Sequence, residues 1–254
     1  MRNFPTVLVT GASSGIGKAV ALRYLKAGSV VGICGRNKDA LEEIRRDHPK
    51  AYPLIFDTTD HAATVSAINQ FIGEAGPLNL AILNAGNHKP TDARDFKLSA
   101  YKAIMDINYF GTLNCLDAVI PAMQQQGSGT IAIVGSVAGY VGLPQAGSYC
   151  ASKAAIMRLS ETLRAELRPQ NIDVKLISPG FVKTPLTDKN DFEMPFLMEL
   201  DAATDRIIKG ISGHQFETVF PRRLAWSLKF LATIPKSFYF RLTKKMLRDR
   251  PDAS

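Results

Sequence analysis

Val7-Leu8-Val9-Thr10-Gly11-Ala12-Ser13-Ser14-Gly15-Ile16-Gly17 decides how this chain is read. An apolar, β-branched run gives way to a loop with spaced glycines, and residues 15–27 then follow a helical period. Such a strand–loop–helix junction lets backbone approach a pyrophosphate closely and sets a helix N-terminus against its charge. The spacing is T-G-x-x-x-G-x-G and differs from the usual G-x-G-x-x-G. Gly11, Ser13, Ser14, Gly15, Ile16 and Gly17 are therefore expected to cradle a dinucleotide, with a tight ligand-free turn as the competing reading.

The same rhythm runs outward from this junction. Apolar strand patterns stand at Val7–Val9, Val30–Cys34, Tyr52–Phe56, Leu78–Leu83, Thr130–Val134 and Val174–Ile177. Helix-period stretches lie near residues 15–27, 37–47, 60–74, 98–124 and 148–168. Strands that are almost wholly apolar predict a parallel sheet covered on both faces. The expected fold class is α/β, a Rossmann-type doubly wound sheet in three layers. Beyond Thr184 the pattern predicts a loop or short helices over 185–199, a helix over 202–211, a last strand over 216–220, and two helices across 222–248 broken at Pro235. No repeat or linker divides the chain. A single cofactor-binding catalytic domain is expected over residues 1–220, with 221–254 a basic amphipathic helical extension packed on it.

Composition narrows the function classes. The chain has 254 residues, 46% of them hydrophobic and 21% charged, which is ordinary for a water-facing globule. No uncharged apolar stretch is long enough for a spanning helix. The first apolar run is too short for a signal peptide and reads as a buried strand. Cys34, Cys115 and Cys150 are odd in number and widely spaced, so neither a disulfide framework nor a metal site is predicted, and a cytoplasmic location fits. The net charge of +8 resides in residues 219–250, where nine Lys and Arg face Asp249 alone. The remainder is neutral, and nucleic-acid binding by the main surface gets no support.

Two further positions bear on the dinucleotide. No acid appears between Gly28 and Asn37, and the second strand ends at Cys34-Gly35-Arg36. An acid there suits a ribose diol and an arginine suits a 2′-phosphate, so Arg36 tilts the expectation to NADP(H) over NAD(H). Asp57, at the end of the third strand, is a candidate for the adenine amine or a plain turn residue.

Tyr149 and Lys153 stand four apart, on one face of the helix predicted over 148–168. Ser136 ends the fifth apolar strand. These residues, with Thr10–Gly17, Asn84-Ala85-Gly86, Asn108, Pro179-Gly180 and Thr184, keep an order and spacing that resembles the short-chain dehydrogenase/reductase family over residues 6–184. The resemblance implies a Rossmann-type domain and the catalytic set Asn108, Ser136, Tyr149 and Lys153. It implies a cofactor site that also takes in Asn84, Ala85, Gly86, Tyr149, Lys153, Pro179, Gly180, Val182 and Thr184. It further implies a small carbonyl or alcohol substrate and a homodimer or tetramer formed through the long helices. By the same analogy Lys153 bonds the nicotinamide ribose, and Asn108 holds a water that links Lys153 to solvent.

The physics of these residue types agrees. A free phenol has a pKa of about 10, too high for proton exchange at neutral pH. A lysine charge ~4 Å away at an effective dielectric of about 20 favours the phenolate by ~4 kcal/mol. Ser136 offers a hydroxyl to developing negative charge on the substrate oxygen. A cofactor-sensing protein without catalysis is the alternative from another class. An epimerase or lyase of the extended relatives would need a larger substrate region than follows Thr184. No histidine pair has metal-ligand spacing and no G-x-S-x-G elbow occurs.

On the substrate side stand Val137, Tyr140, Leu143, Phe181, Met194, Phe196 and Met198, which favour a lipophilic substrate; Met194–Met198 equally suits packing against the body. Asn87 and His88 follow the Asn-Ala-Gly turn, and His88 reads as a solvated loop residue more readily than as a substrate contact. Residues 222–248 interleave aromatic and aliphatic side chains with cations. That pattern suits an anionic membrane surface, and equally a core-packed or dimer-forming helix pair.

Overall fold

A computed structural model describes residues 4–188 and 193–247. Part of the expected loop 185–199 and the tail cations Arg248 and Arg250 lie outside the described residues. Seven parallel strands form one sheet: β1 (Thr6–Thr10), β2 (Val30–Gly35), β3 (Ala51–Ile55), β4 (Leu80–Leu83), β5 (Gly129–Val134), β6 (Ile172–Pro179) and β7 (Glu217–Phe220), in the order β3-β2-β1-β4-β5-β6-β7. The helices are α1 (Gly15–Lys26), α2 (Lys38–Asp47), α3 (His61–Ala75), α4 (Leu98–Met105), α5 (Gly111–Gln126), α6 (Gly147–Leu167), α7 (Leu200–Ser212), α8 (Arg222–Thr233) and α9 (Lys236–Lys244).

Alternation along the strands builds the layers. Val7, Val9, Val31 and Ile33 pack with Val20 and Tyr24 of α1, Leu41 of α2 and Ile207 of α7. Leu8, Ala81, Leu83, Ile131 and Ile133 point the other way, onto Phe71 of α3, Val119 of α5 and Ile156 of α6. The sheet is thus covered on both faces, which is why its strands read as continuous apolar runs. A third apolar cluster joins Leu224, Ala225, Leu228 and Leu231 of α8 and Tyr239 of α9 to Val137 and Val141, just after β5.

One expected element differs. The helix foreseen over 98–124 is interrupted by a π-turn, Asp106–Phe110, between α4 and α5. The extra residue of a π-turn re-aims a side chain out of the regular helical face, and here it is the buried Asn108 that lies in the turn. The Thr112 hydroxyl, in the first turn of α5, donates to the Asn108 carbonyl at 2.9 Å.

Candidate active site

The ends of β1, β2, β3 and β4 open on a cavity of about 430 Å³. Gly11 (φ +66°) and Gly15 (φ +53°) take left-handed conformations that an L side chain rarely adopts, and both line it. Gly15 and Ile16 begin α1, whose first turn carries no acidic residue and whose N-cap Ser14 makes no side-chain capping bond. The amides of that turn are therefore left for an anion. Gly17 serves differently from expectation, because it is not on the cavity wall. A Cβ there would stand 2.2 Å from the Gly11 carbonyl oxygen and 2.6 Å from Asn84 Nδ2, so its task is close packing of the helix on the loop.

Asn84 props the same loop from β4. Its Nδ2 donates to the Thr10 carbonyl at 3.1 Å, while the Thr10 hydroxyl accepts from the Asn84 and Ala85 amides at 2.9 Å each. Asn84, Ala85, Gly86, Ser13 and Thr184 all line the cavity. Arg36 and Asp57 line it too and are paired, Nη1 to Oδ2 at 3.3 Å, with the Arg36 side chain 70% exposed. Burial works to raise the Asp57 carboxyl, but bonds from the Thr59 amide and hydroxyl and from Arg36 outweigh it and hold the group below its ordinary value. Cys34, Gly35, Asn87 and Pro185 also line the cavity, as do Phe56, Thr58, Ile107 and Leu186, which were not foreseen as cofactor contacts. Phe56 and Thr58 flank Asp57 and Ile107 precedes Asn108, each next to a residue that was singled out; Leu186 carries no local signal.

Pro179, Gly180 and Val182 are off this wall. The Pro179 carbonyl accepts from Ser136 Oγ at 3.3 Å. A Cβ at Gly180 would lie 2.8 Å from Leu224 Cδ2, so that glycine admits α8. Val182 is buried and bridges to Met198.

Tyr149 and Lys153, in the first turns of α6, lie beyond the Gly86 end of the cavity. A Cβ at Gly86 would stand 3.2 Å from Asn108 Oδ1 and 3.6 Å from Lys153 Nζ, so these two groups crowd one point on the wall. Lys153 Nζ is 5.8 Å from the centre of the Tyr149 ring and donates to the Val134 carbonyl at 2.9 Å. The expected acidification of Tyr149 does not hold in this arrangement. Burial raises the phenol, and a hydrogen bond from Ser136 offsets only part of that. Burial also lowers Lys153, from 10.5 to about 8, which leaves it charged at neutral pH but ready to release its proton just above it.

Asn108 forms a clamp. Its Nδ2 donates to Ser152 Oγ at 3.0 Å, and Ser152 in turn donates to the Tyr149 carbonyl at 2.8 Å. His88, expected in solvent, is instead half-buried with its ring edge-on to Tyr149 at 4.7 Å. Of the expected substrate-side residues, Val137 is buried in the third apolar cluster, and Leu143 and Phe181 pack against it. The Tyr140 hydroxyl donates to the Glu217 carboxylate, which also receives Ser178 at 2.7 Å and Lys229 at 3.3 Å. Met198 packs on the first core while Phe196 is exposed. Among the described residues no group of three His, Cys, Asp or Glu is placed to hold a metal, and no helix is long and apolar enough to cross a membrane.

Known proteins resemble this chain in sequence and fold. The family profile described as short chain dehydrogenase matches residues 5–194. An uncharacterized oxidoreductase of Myxococcus xanthus (strain DK1622) is 36% identical over 93% of this chain and 95% of its own length. Dehydrogenase/reductase SDR family member 7B of Xenopus tropicalis is 34% identical over 71% of this chain, a match that spans 62% of that longer protein. A short chain dehydrogenase from Burkholderia cenocepacia J2315, solved in complex with NADP, superposes with a TM-score of 0.82 at 29% identity over 93% of this chain and 96% of that one. A 3-ketoacyl-ACP reductase from Sinorhizobium meliloti 1021 superposes with a TM-score of 0.80 at 26% identity over 88% of this chain and 100% of that one. With a parallel Rossmann-type sheet, a glycine loop under its C-terminal edge and these relatives in view, the chain belongs to the short-chain dehydrogenase/reductase family, oxidoreductases that act on alcohol and ketone groups.

Proposed function

We propose that the protein interconverts a lipophilic ketone or aldehyde with its alcohol, with NADP(H) preferred over NAD(H). The observation that carries this is the grouping of Tyr149, Ser136 and Lys153 just beyond the Gly86 end of a glycine-lined cavity. Gly11, Gly15 and the first turn of α1 would hold the pyrophosphate, Arg36 the 2′-phosphate, and Lys153 the nicotinamide ribose. When bound, the cofactor supplies the hydride.

The remaining work falls to side chains. Tyr149 gives its phenolic proton to the carbonyl oxygen in reduction and takes it back in oxidation. Its raised pKa suits the first task, since the proton stays on the phenol until charge builds on the substrate oxygen. Ser136 orients that oxygen and hydrogen-bonds the developing alkoxide. Asn108 holds the β4 exit loop under the site and keeps a lone pair on Oδ1 for the water that would connect Lys153 to solvent. Val137, Leu143 and Phe181, apolar and close after β5 and β6, support the lipophilic substrate. Exposed Phe96, Leu98 and Phe110 around α4 support pairing of two copies on that side. The three free, buried thiols suit a reducing cytoplasm, and the basic helices of residues 222–247 suit peripheral contact with anionic lipid.

The test is NADPH oxidation against a panel of aliphatic and aromatic ketones, sugars and keto acids. Turnover is expected with the lipophilic carbonyls. Tyr149→Phe is expected to lower kcat by about 10²–10⁴-fold while NADPH binding persists. Full turnover in that variant would overturn the assignment, and cofactor binding without turnover of any carbonyl would favour the non-catalytic sensor.

A further inference from the structure

Helices α8 and α9 turn apolar side chains both ways. Their inner faces bury Leu224, Leu228 and Tyr239 against Val137 and Val141, and the Tyr239 hydroxyl donates to the Gly142 carbonyl. Their outer faces are not polar. Trp226 is 72% exposed, Phe230 68%, Phe238 60% and Phe240 64%, and Leu242, Met246 and Leu247 are exposed beside them. Trp226 and Phe230 lie one turn apart on α8, as do Phe238 and Leu242 on α9, so each pair shares one side of its helix. Seven cations stand among them, and residues 221–247 contain no Asp or Glu. Of the seven, only Lys229 has a carboxylate partner among the described residues, Glu217.

We propose that this outer face docks on an anionic phospholipid surface. The aromatic and aliphatic side chains enter the headgroup boundary, and Arg222, Arg223, Arg241, Lys244 and Lys245 meet lipid phosphates. Charge selects this occupant over a second copy of the chain, because self-association would press two acid-free cationic faces together. The extent of exposed apolar side chain selects it over a purely ionic partner. A recess of about 260 Å³ beside Trp226, flanked by Arg222 and Lys229, opens in the same face. The inner faces of these helices hold the segment that follows Ser136, so docking sets the substrate side of the site against the bilayer. That consequence for substrate entry rests on the lipophilic-carbonyl reading; the docking itself does not.

Trp226 is the only tryptophan in the chain, so its emission reports this face alone. The full-length protein is mixed at low salt with vesicles of phosphatidylcholine, or of phosphatidylcholine with phosphatidylserine. Flotation with the anionic vesicles is expected, with a blue shift of the emission and quenching by brominated acyl chains, all reversed by high salt. The double variant Phe230→Ser/Phe238→Ser is expected to partition about tenfold or more weakly. Its NADPH-linked reduction of a water-soluble carbonyl should be unchanged, since both side chains are exposed and neither lines the cofactor cavity. Unshifted emission without flotation overturns the proposal. So does a blue shift without vesicles that accompanies dimer formation, or capture of RNA in preference to lipid. Loss of the oxidoreductase reading would leave vesicle binding intact, and loss of vesicle binding would leave turnover intact, so the two failures are separable.

Discussion

Asn108 holds Asn87 by both of its backbone groups: Oδ1 accepts from the Asn87 amide at 2.7 Å and Nδ2 donates to the Asn87 carbonyl at 3.0 Å. One amide side chain therefore fastens the exit loop of β4 to the π-turn before α5. The next residue, His88, is thereby set against the Tyr149 ring. The clamp and the proposed proton relay would share Asn108, the buried residue that the π-turn re-aims.

Asn108→Ala is expected to cost stability, because the Asn87 amide and carbonyl and Ser152 each lose a partner in a mostly buried setting. A lost buried hydrogen bond costs about 1–3 kcal/mol, and a total of about 2–4 kcal/mol is expected from denaturant unfolding. Asn108→Asp keeps the acceptor and loses the donor, so its stability should fall between the two. A variant as stable as the parent would show that the clamp contributes nothing.

Lys153 carries a stability cost along with its proposed role. Burial lowers it from 10.5 to about 8. Below pH 8 the side chain is charged in both folded and unfolded protein, and the full cost of burying the charge is borne. Between pH 8 and 10.5 the unfolded chain keeps a proton that the folded protein has released, so the Lys153 contribution to stability rises with pH across that window. The gain is at most about 3 kcal/mol. Lys153→Met is expected to be more stable than the parent at pH 7, to lack the rise, and to lose turnover. The buried thiols of Cys34, Cys115 and Cys150, raised from 9.0, and the Tyr149 phenol, raised from 10.0, act in the opposite sense as pH passes those values, so the Lys153 contribution is read as the difference in stability between the parent and Lys153→Met. A parent-minus-variant difference that is flat between pH 8 and 10.5 would contradict the linkage.

Arg36 is held by Asp57 yet mostly exposed, so it can exchange a carboxylate for a phosphate without crossing the core. Arg36→Ala is expected to weaken NADPH binding by about 10–100-fold, the worth of charge-assisted hydrogen bonds to a 2′-phosphate. NADH binding should change little, because no 2′-phosphate is present to lose a partner. Isothermal titration with both cofactors measures the difference. An equal loss for the two would place Arg36 outside the specificity contact.

The strands and most helices were legible because their signals are local. Val7–Val9 and Ile131–Val134 are buried between two helical layers, and a continuous apolar run is what that environment selects. The π-turn at 106–110 was not legible, since its bonds run from Asn108 to Asn87 and Ser152, distant in the chain. The tail pattern showed two helices broken at Pro235, but not which apolar residues would be inside. Contact with Val137 and Val141 claimed Leu224, Leu228 and Leu231, and left Trp226 and Phe230 out.

The residues alone determined the strand–glycine loop–helix junction and the Tyr149–Lys153 spacing on one helical face, because both follow from chain geometry over a few positions. Only the folded molecule decided the electrostatics. Desolvation depends on atoms brought from far along the chain, and it turned the expected acidic phenol into one raised by burial and the expected strong cation into one lowered to about 8. The Arg36–Asp57 pair and the placing of His88 beside Tyr149 were likewise settled by where separate strands and loops end in space.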